Sequence, residues 1–303
     1  MSTAIRQAAV NATRVGEALP VPQALPPTWP NREYSRTVAT RRGKLHVQRA
    51  GRGPTALLIH GTGAATHTWR GLLPRLTRRF DVIAFDLPGH GWSEPSSTMT
   101  LDSLADASQA LLSALDVVPA AIIGHSAGAA VALELALAAR QKPAVFGINA
   151  ALEPFGGGLA RVFSPLARLA AATPLLPDIV CRRTRNAATV DRMLRSTGSR
   201  LTPSAVAEYQ QVLSRPSHVR ATIRMMAQWD LSALRSRIDG VADCTRLLAC
   251  TGDLAVSVGQ ARRLCTRHPD LGLTVWTGPG HLVHEEQPAR VAEWLLSNRV
   301  ADR

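Results

Sequence analysis

The sequence predicts an α/β protein: a mostly parallel, doubly wound sheet of eight strands with a helical insertion above the carboxyl ends of the strands. Three observations predict it. Short apolar runs recur from residue 55 onward, stretches of helical periodicity separate them, and this alternation is interrupted between residues 151 and 237. At 303 residues, the chain is long enough for one large core with such an insertion.

The elements follow in order along the chain. Candidate strands lie near 36–40, 44–49, 55–60, 81–86, 119–124, 144–150, 246–251 and 272–277. Helical patterns lie near 68–79, 100–116, 127–140, 257–267 and 288–298. Residues 40–44 (TRRGK) predict a hairpin turn, so the sheet should begin antiparallel. The later alternation of strands and helices predicts right-handed parallel crossovers.

Three regions are expected. Residues 1–35 are rich in proline and predict an extended N-terminal arm on the surface. Residues 36–150 and 238–303 form the α/β core, and residues 151–237 form a helical cap, or lid.

Prolines should divide the cap into short helices. They are Pro165, Pro174, Pro177, Pro203 and Pro216. The pairs Ser164-Pro165 and Thr202-Pro203 predict helix starts. An apolar stripe is formed by Leu159, Val162, Phe163, Leu166 and Leu169. The stripe either packs within the cap, or forms an apolar wall for a large, flat substrate or a membrane-facing surface.

The strand near 119–124 runs into the pentapeptide 124–128 (GHSAG), and a helical pattern begins directly after it. This is the G-x-S-x-G nucleophile elbow in the strand-turn-helix context that supports it. The sharp turn places Ser126 in a strained backbone conformation, and Gly124 and Gly128 let strand and helix pack closely. Ser126 is therefore the predicted nucleophile.

The other parts of an acyl-transfer site lie where such a site needs them. Asp253 follows the strand near 246–251, and His281 follows the strand near 272–277. The order Ser126, Asp253, His281 is the one that this architecture uses, with His281 as base and Asp253 as the group that orients it. The backbone N–H groups of Thr62, after the strand near 55–60, and Ala127 are the predicted oxyanion hole.

Alternatives remain at two positions. Glu153, after the strand near 144–150, is a rival for the acid, and His284 is a rival for the base. His60 and His125 flank the site and are expected to be structural.

Four spaced motifs together resemble the α/β-hydrolase superfamily. They are HGTG at 60–63, DLPGHG at 86–91, GHSAG at 124–128 and GHLVHEEQP at 280–288. The resemblance covers residues 36–150 and 238–303 and implies the α/β-hydrolase fold. Ser126 instead of Asp at the elbow argues against the dehalogenase and epoxide-hydrolase branches, which need a carboxylate nucleophile.

A narrower resemblance extends into the cap. The segments WPNR at 29–32, HGTGAATHTW at 60–69, NAALEPFGG at 149–157 and STGSR at 196–200 are similar to the BchO-type accessory proteins of magnesium chelatase in bacteriochlorophyll-making bacteria. The resemblance implies a role in bacteriochlorophyll biosynthesis, with magnesium chelatase subunits as partners and a tetrapyrrole as a possible ligand. One departure is Cys250 in the turn that carries Asp253.

The charge is concentrated in the cap. The chain carries a net charge of +13, and residues 158–237 hold 13 Arg, no Lys and four acids. This bias either reflects composition alone or attracts anionic lipid headgroups, an acidic protein or substrate carboxylates. No nucleic-acid recognition motif accompanies it, so nucleic acid is not an expected partner.

Several classes are disfavoured. No apolar run approaches the ~20 residues of a membrane span, and the N-terminus lacks the apolar region of a signal peptide. The four cysteines show no metal-binding spacing, and no cofactor or metal is expected. A cytoplasmic protein that can contact the inner photosynthetic membrane peripherally is the predicted setting.

Two functional hypotheses follow from these patterns. The first is a serine hydrolase that cleaves an ester or related acyl bond through an acyl-enzyme. The second is a non-catalytic accessory or tetrapyrrole-binding protein that assists magnesium chelatase. The acyl group itself is not fixed by the sequence.

Overall fold

The computed structural model describes residues 18–19, 21–22, 24–153, 173 and 175–298. Its strands form one nine-stranded sheet in the order β1-β2-β3-β5-β4-β6-β7-β8-β9. The strands are β1 (Ala18–Leu19), β2 (Ser35–Thr40), β3 (Gly43–Gly51), β4 (Thr55–Ile59), β5 (Asp81–Phe85), β6 (Pro119–His125), β7 (Ala144–Ile148), β8 (Thr245–Cys250) and β9 (Gly272–Trp276). The eight predicted strands are confirmed as β2 to β9.

The extra strand comes from the N-terminal arm, which is less superficial than predicted. β1 pairs antiparallel with β2, with Ala18 opposite Val38. Leu25 and Trp29 are buried with side chains of the segment between β7 and β8, and the Trp29 indole donates to Thr66 Oγ1 at 3.2 Å. The apolar residues between the prolines therefore bury part of this arm, which the proline content alone did not indicate.

The sheet begins antiparallel and continues parallel, as predicted. β2 and β3 form the hairpin, with Thr40 opposite Gly43 at a φ of 107° that favours glycine. β3 pairs antiparallel with β5, and every pairing from β5 through β4, β6, β7 and β8 to β9 is parallel. β4 and β5 are buried along their full lengths, which is typical of parallel strands covered on both faces.

The helices of the described residues lie on both faces of the sheet and in the insertion. They are α1 (Leu73–Leu76), α2 (Leu101–Ala114), α3 (Ala127–Ala138), α4 (Leu176–Thr184), α5 (Ala187–Arg195), α6 (Pro203–Leu213), α7 (Pro216–Gln228), α8 (Ser232–Arg235), α9 (Val258–Arg267), α10 (Val283–Glu286) and α11 (Pro288–Ser297). One helix prediction is wrong. Residues 68–79 form a 3-10 turn at Thr66–Trp69 and the one-turn α1, because Pro74 fits only the first turn of a helix.

The insertion between β7 and β8 contains helices α4 to α8. The predicted start at Thr202 is confirmed, since its side chain accepts a hydrogen bond from Ala205 N and Pro203 opens α6. Pro177 and Pro216 likewise lie in first helical turns. Pro165, Pro174 and the apolar stripe from Leu159 to Leu169 lie outside the described residues.

The apolar face of the insertion packs onto the core. Val190 of α5 and Val212 of α6 are fully buried in one cluster with Ala65 and Leu282 of the core loops. Met225 of α7 joins the main core cluster. The helices are thereby fixed above the carboxyl ends of the parallel strands. Across the described residues, no helix has the length and apolar character needed to cross a membrane.

Candidate active site

Ser126 lies in the turn between β6 and α3, where its φ of 52° and ψ of −118° are strained for a residue with a side chain. Such a conformation costs of order 1–3 kcal/mol and persists only where the surroundings enforce it. Here the Ser126 N–H donates to Ile148 O at 3.0 Å, and the Ser126 carbonyl accepts from Ala151 N at 3.1 Å. The last residue of β7 and the segment after it therefore hold the turn, and the backbone strain predicted for Ser126 is present.

The two glycines of the elbow permit the close approach. A Cβ on Gly124 would lie 2.4 Å from the backbone of Ala129, and a Cβ on Gly128 would lie 2.2 Å from Ile59 O. Both distances are too short for any side chain. The predicted reason for these glycines is thus visible in the packing of β6, α3 and β4.

His281 and Asp253 meet at the same edge of the sheet. His281 Nδ1 donates to Asp253 Oδ2 at 2.8 Å, and both side chains are buried. The second oxygen, Oδ1, accepts from Ala255 N at 2.7 Å and Val256 N at 2.8 Å. The carboxylate is therefore fixed from two sides. With Nδ1 as donor to Asp253, the Nε2 of His281 is the proton acceptor of the neutral ring.

Thr62 and Ala127, the predicted oxyanion-hole residues, line the same cavity as Ser126 and His281. Ala127 is the first residue of α3, so its N–H has no acceptor within the helix. The N-terminal end of a helix also favours negative charge. The arrangement can therefore stabilise an oxyanion formed above Ser126.

The cavity has a volume of 360 Å³ and lies between the core loops and helices α5, α6 and α7. It is lined by Gly61, Thr62, Gly63, Ala64, His125, Ser126, Ala127, Met193, Leu194, Thr197, Tyr209, Leu213, Thr222, Met226, Ala255, Val256, His281 and Leu282. Asp253 lies behind His281, in contact with its ring nitrogen.

The rival residues are engaged elsewhere. Glu153 pairs with Arg267 and, at 3.6 Å, with Arg235. His284 Nε2 lies 2.7 Å from Thr68 Oγ1, and burial lowers the pKa of His284 to about 3. Neither residue has a hydrogen bond to the His281 side chain or to Ser126 within the described part of the chain.

The flanking histidines hold backbone segments, as expected for structural residues. His60 Nδ1 donates to Gly61 O at 2.8 Å, and its Nε2 accepts from Leu87 N at 3.0 Å. His125 Nε2 donates to the carbonyl of His281 at 3.0 Å. Burial lowers the pKa of both histidines, so the neutral rings assigned here are the forms present near neutral pH.

Asn149 is a member of the site that sequence reasoning missed. Its Nδ2 donates to the carbonyls of Gly280 at 3.0 Å and His281 at 2.9 Å, and its Oδ1 accepts from Cys250 N at 2.9 Å. The residue is buried and adopts a φ of 44°, which Asn tolerates better than most residues. One side chain thus joins the base loop to the strand that carries the acid. The available signal was its position, a polar residue directly after β7 at the same edge as Ser126.

A buried histidine cluster underlies the turn at 86–91. The carboxylate of Asp86 accepts from His46 Nδ1 at 2.7 Å and from Thr66 N at 2.7 Å. The ring centroids of His60 and His90 lie 5.3 Å apart, and those of His90 and His218 lie 5.2 Å apart. His218 of α7 also accepts from Gly91 N at 3.0 Å. The cluster therefore ties an insertion helix to the DLPGHG motif.

A second polar contact joins the insertion to the core. Arg70 lies 2.5 Å from Glu208 of α6 and 3.5 Å from Glu285 of α10. Glu285 also accepts hydrogen bonds from Tyr209 and Thr68, each at 2.7 Å. Burial raises the pKa of Glu208 to about 8 and that of Glu285 to about 7. Two acids thus share one arginine. Among the described residues, no cluster of three or more potential metal ligands occurs.

This fold and arrangement of residues define the class of protein. The profile of the alpha/beta hydrolase family matches residues 56–294, and the chain belongs to this family. It is 39% identical over 271 residues to the Magnesium-chelatase 30 kDa subunit of Rhodobacter capsulatus, a match that covers 87% of this chain and 94% of that protein. The predicted superfamily and the narrower resemblance are both confirmed.

Three further comparisons, one of sequence and two of structure, give other proteins to which the chain is similar. A pimeloyl-[acyl-carrier protein] methyl ester esterase from Methylococcus capsulatus is 44% identical over 101 residues, which cover 33% of this chain and 36% of that protein. The epoxide hydrolase CorEH superimposes with a TM-score of 0.70 at 22% identity, covering 87% of this chain and 97% of that chain. An alpha/beta hydrolase fold protein from Burkholderia ambifaria gives a TM-score of 0.70 at 21% identity, over 86% and 97% of the two chains.

Proposed function

We propose that this protein is a serine hydrolase that cleaves an ester or related acyl bond through Ser126, His281 and Asp253. The observation that carries the proposal is the 2.8 Å hydrogen bond between His281 and Asp253 beside the strained Ser126 in one cavity. Family membership alone does not carry it, because this fold supports several chemistries.

The reaction follows from the positions of these groups. His281 Nε2 removes the proton of the Ser126 hydroxyl as its oxygen attacks the acyl carbon. The oxyanion that forms receives hydrogen bonds from the N–H groups of Thr62 and Ala127. Collapse expels the alcohol or thiol, which takes the proton from His281, and leaves an acyl group on Ser126. His281 Nε2 then removes a proton from a water molecule as the water oxygen attacks the acyl-enzyme. Collapse breaks the bond to Ser126, the serine oxygen takes the proton back from His281, and the carboxylic acid leaves.

Asp253 contributes without itself taking the proton. Its carboxylate holds His281 in the tautomer with Nε2 free and stabilises the charged ring that forms during each step. The two backbone N–H groups that donate to its other oxygen, from Ala255 and Val256, hold the carboxylate in place.

We further propose the division into a core of residues 36–150 and 238–303 and a cap of residues 151–237, with the cap covering Ser126. The similarity to the Rhodobacter capsulatus protein supports a setting in bacteriochlorophyll biosynthesis, beside magnesium chelatase subunits. A cytoplasmic location with peripheral contact to the inner photosynthetic membrane suits that setting. The second candidate function is a non-catalytic accessory or tetrapyrrole-binding protein, and it is supported by the similarity to a relative named as a magnesium-chelatase subunit.

Covalent labelling separates the two functions. A fluorophosphonate should label the wild-type protein at Ser126, and Ser126→Ala should abolish labelling. Hydrolysis of any accepted ester should fall at least ~10³-fold in this variant, as in other triads. Circular dichroism of both proteins controls for folding. Folded wild-type protein that resists several such probes would favour the accessory function.

A further inference from the structure

Three of the hydroxyl groups that line the cavity already donate hydrogen bonds within the protein. Thr197 Oγ1 donates to Leu194 O at 2.6 Å, and Thr222 Oγ1 donates to His218 O at 2.9 Å. The Tyr209 hydroxyl donates to Glu285 at 2.7 Å. Each hydroxyl has a single proton to donate, so none of the three can donate to a bound molecule.

The remaining polar side chains of the wall offer little more. Thr62 Oγ1 lies 3.6 Å from Met225 Sδ. The N–H of the His125 ring donates to the carbonyl of His281. Along the described wall of the cavity there is no Arg, Lys, Asp or Glu side chain. The N–H groups of Thr62 and Ala127 remain, and the oxyanion uses them.

The rest of the wall is apolar and adaptable. Leu194, Leu213 and Met226 come from the insertion helices, and Val256 and Leu282 come from the core loops. Methionine is unbranched and fills irregular shapes well. The volume of 360 Å³ lies near the lower end of the range of about 300–1,000 Å³ for small-molecule sites.

We infer that this cavity receives a compact, uncharged, apolar acyl group and rejects acyl groups that end in a carboxylate. The inference rests on the proposed function and names the substrate class of the same site. A carboxylate placed against the described residues of the wall would lose water and gain no cation, and its only side-chain donor would be the Thr62 hydroxyl, which faces a sulfur at 3.6 Å. Its burial is therefore far costlier than that of a methyl group. A tetrapyrrole propionate therefore has no cationic partner among the described residues of this wall.

Two matched fluorophosphonates test the inference. Both carry an unbranched chain of equal length, one ending in a methyl group and the other in a carboxylate. The second-order rate of Ser126 labelling should be at least ~100-fold lower for the carboxylate probe, because the unpaired charge must be buried to reach the serine. This readout needs no knowledge of the natural substrate and no turnover.

The outcomes separate this inference from the proposed function. Labelling by neither probe would overturn the serine-hydrolase proposal, and the inference with it. Similar labelling rates for both probes would leave the hydrolase proposal standing and overturn only the inference. Faster labelling by the methyl-ended probe supports both.

A charge-restoring variant sharpens the test. Met226 is half-buried on α7, so Met226→Lys can place its ammonium in the cavity while its stem covers the same wall. We expect this variant to reduce the ratio of the two labelling rates, methyl-ended probe over carboxylate probe, by at least ~10-fold, because the carboxylate then gains an opposite charge. Met226→Leu, of nearly equal volume, is the matched control and should show the same ratio of labelling rates as the wild type. An unchanged ratio of labelling rates in a folded Met226→Lys protein would contradict the inference.

Discussion

The core side and the cap side of the cavity are held by different forces. On the core side, Ser126, Asp253 and His281 are fixed by directional hydrogen bonds between neighbouring strand ends. On the cap side, Leu194 and Leu213 are held by apolar packing. The proposed chemistry depends on the directions of a few hydrogen bonds, whereas the inferred selection of the acyl group depends on the cavity volume and on the lack of charged side chains along its described wall. Changes on the two sides should therefore have different consequences.

The largest effect is expected from the acid on the core side. Asp253→Asn should lower kcat by about 10⁴-fold with the fold intact, because the amide no longer fixes the His281 tautomer. Steady-state kinetics on an accepted ester would measure it. Glu153→Gln is the matched control and should have a small effect, since Glu153 pairs with Arg235 and Arg267. The opposite ranking of the two variants would assign the acid to Glu153.

Asn149 should come next, because it acts through the position of His281. Asn149→Gly removes the amide and relieves the strain of the 44° φ, whereas Asn149→Ala removes the amide and increases strain. Both variants should lower kcat by up to about 10²-fold, since small displacements of a catalytic group cost this much.

The thermal midpoints of the two Asn149 variants provide the control. Asn149→Ala should be the less stable, and equal losses of activity in both would assign the effect to the amide. Wild-type kinetics in a destabilised Asn149→Gly protein would show that Asn149 is only structural.

The contact between cap and core should make stability depend on pH. Burial raises the pKa of Glu208 to about 8 and that of Glu285 to about 7, above the ordinary value of 4.5. The folded protein therefore holds protons that the unfolded chain releases. The stability gained in this way is full below pH 4.5 and is lost as the pH rises through the two folded values.

Glu208→Gln should flatten this dependence, because glutamine cannot ionise. The thermal midpoint of each protein should decrease between about pH 6 and about pH 9. The decrease should be smaller in Glu208→Gln than in the wild type, by at least ~2 °C. Calorimetry would measure both. Asp191→Asn, which removes an exposed carboxylate on α5 paired with Arg195, is the control and should follow the wild type. If the thermal midpoints of all three proteins changed equally with pH, Glu208 would not be the source of the pH dependence.

The smallest effect on catalysis is expected from the outer surface of the cap. Arg182, Arg183 and Arg185 are exposed, and Ile179 on the same helix, α4, is exposed as well. Replacing the three arginines with Gln should leave Ser126 labelling nearly unchanged while weakening binding to anionic vesicles or to a dicarboxylic porphyrin. Co-sedimentation and titration should show binding that falls with added salt, as expected for exposed charges with a Debye length of ~8 Å at physiological strength. Salt-insensitive behaviour would mean that the arginines reflect composition alone.

The same contrast explains what the sequence could predict. The strands and the motifs after them were predictable, because buried parallel strands are continuous apolar runs and the residues after them meet at one edge. Ser126, Asp253 and His281 follow that rule. Asn149 follows it too, but an amide has no chemical role that would single it out. Its function depends on carbonyls of Gly280 and His281 that lie 131 and 132 residues away in sequence.

The cap was harder to predict because its contacts are tertiary. The burial of Leu25 and Trp29 among cap side chains has no periodic signal in the proline-rich arm. The raised pKa of Glu208 likewise depends on where α6 meets the core. Both features depend on tertiary packing between segments that are distant in the sequence. The local pattern of apolar and polar residues does not predict such packing.

The buried histidines have a consequence for the acid limit of the protein. Burial lowers the pKa of six of them below the ordinary value of 6.5: His60, His67, His90, His125, His218 and His284. As the pH drops below 6.5, these histidines are protonated in the unfolded chain while they remain neutral in the folded protein. The free energy of unfolding therefore falls with the pH. Each such group adds up to about 1.4 kcal/mol per pH unit to this loss. Acidification should thus unfold the protein in a narrow pH interval with the uptake of several protons at once.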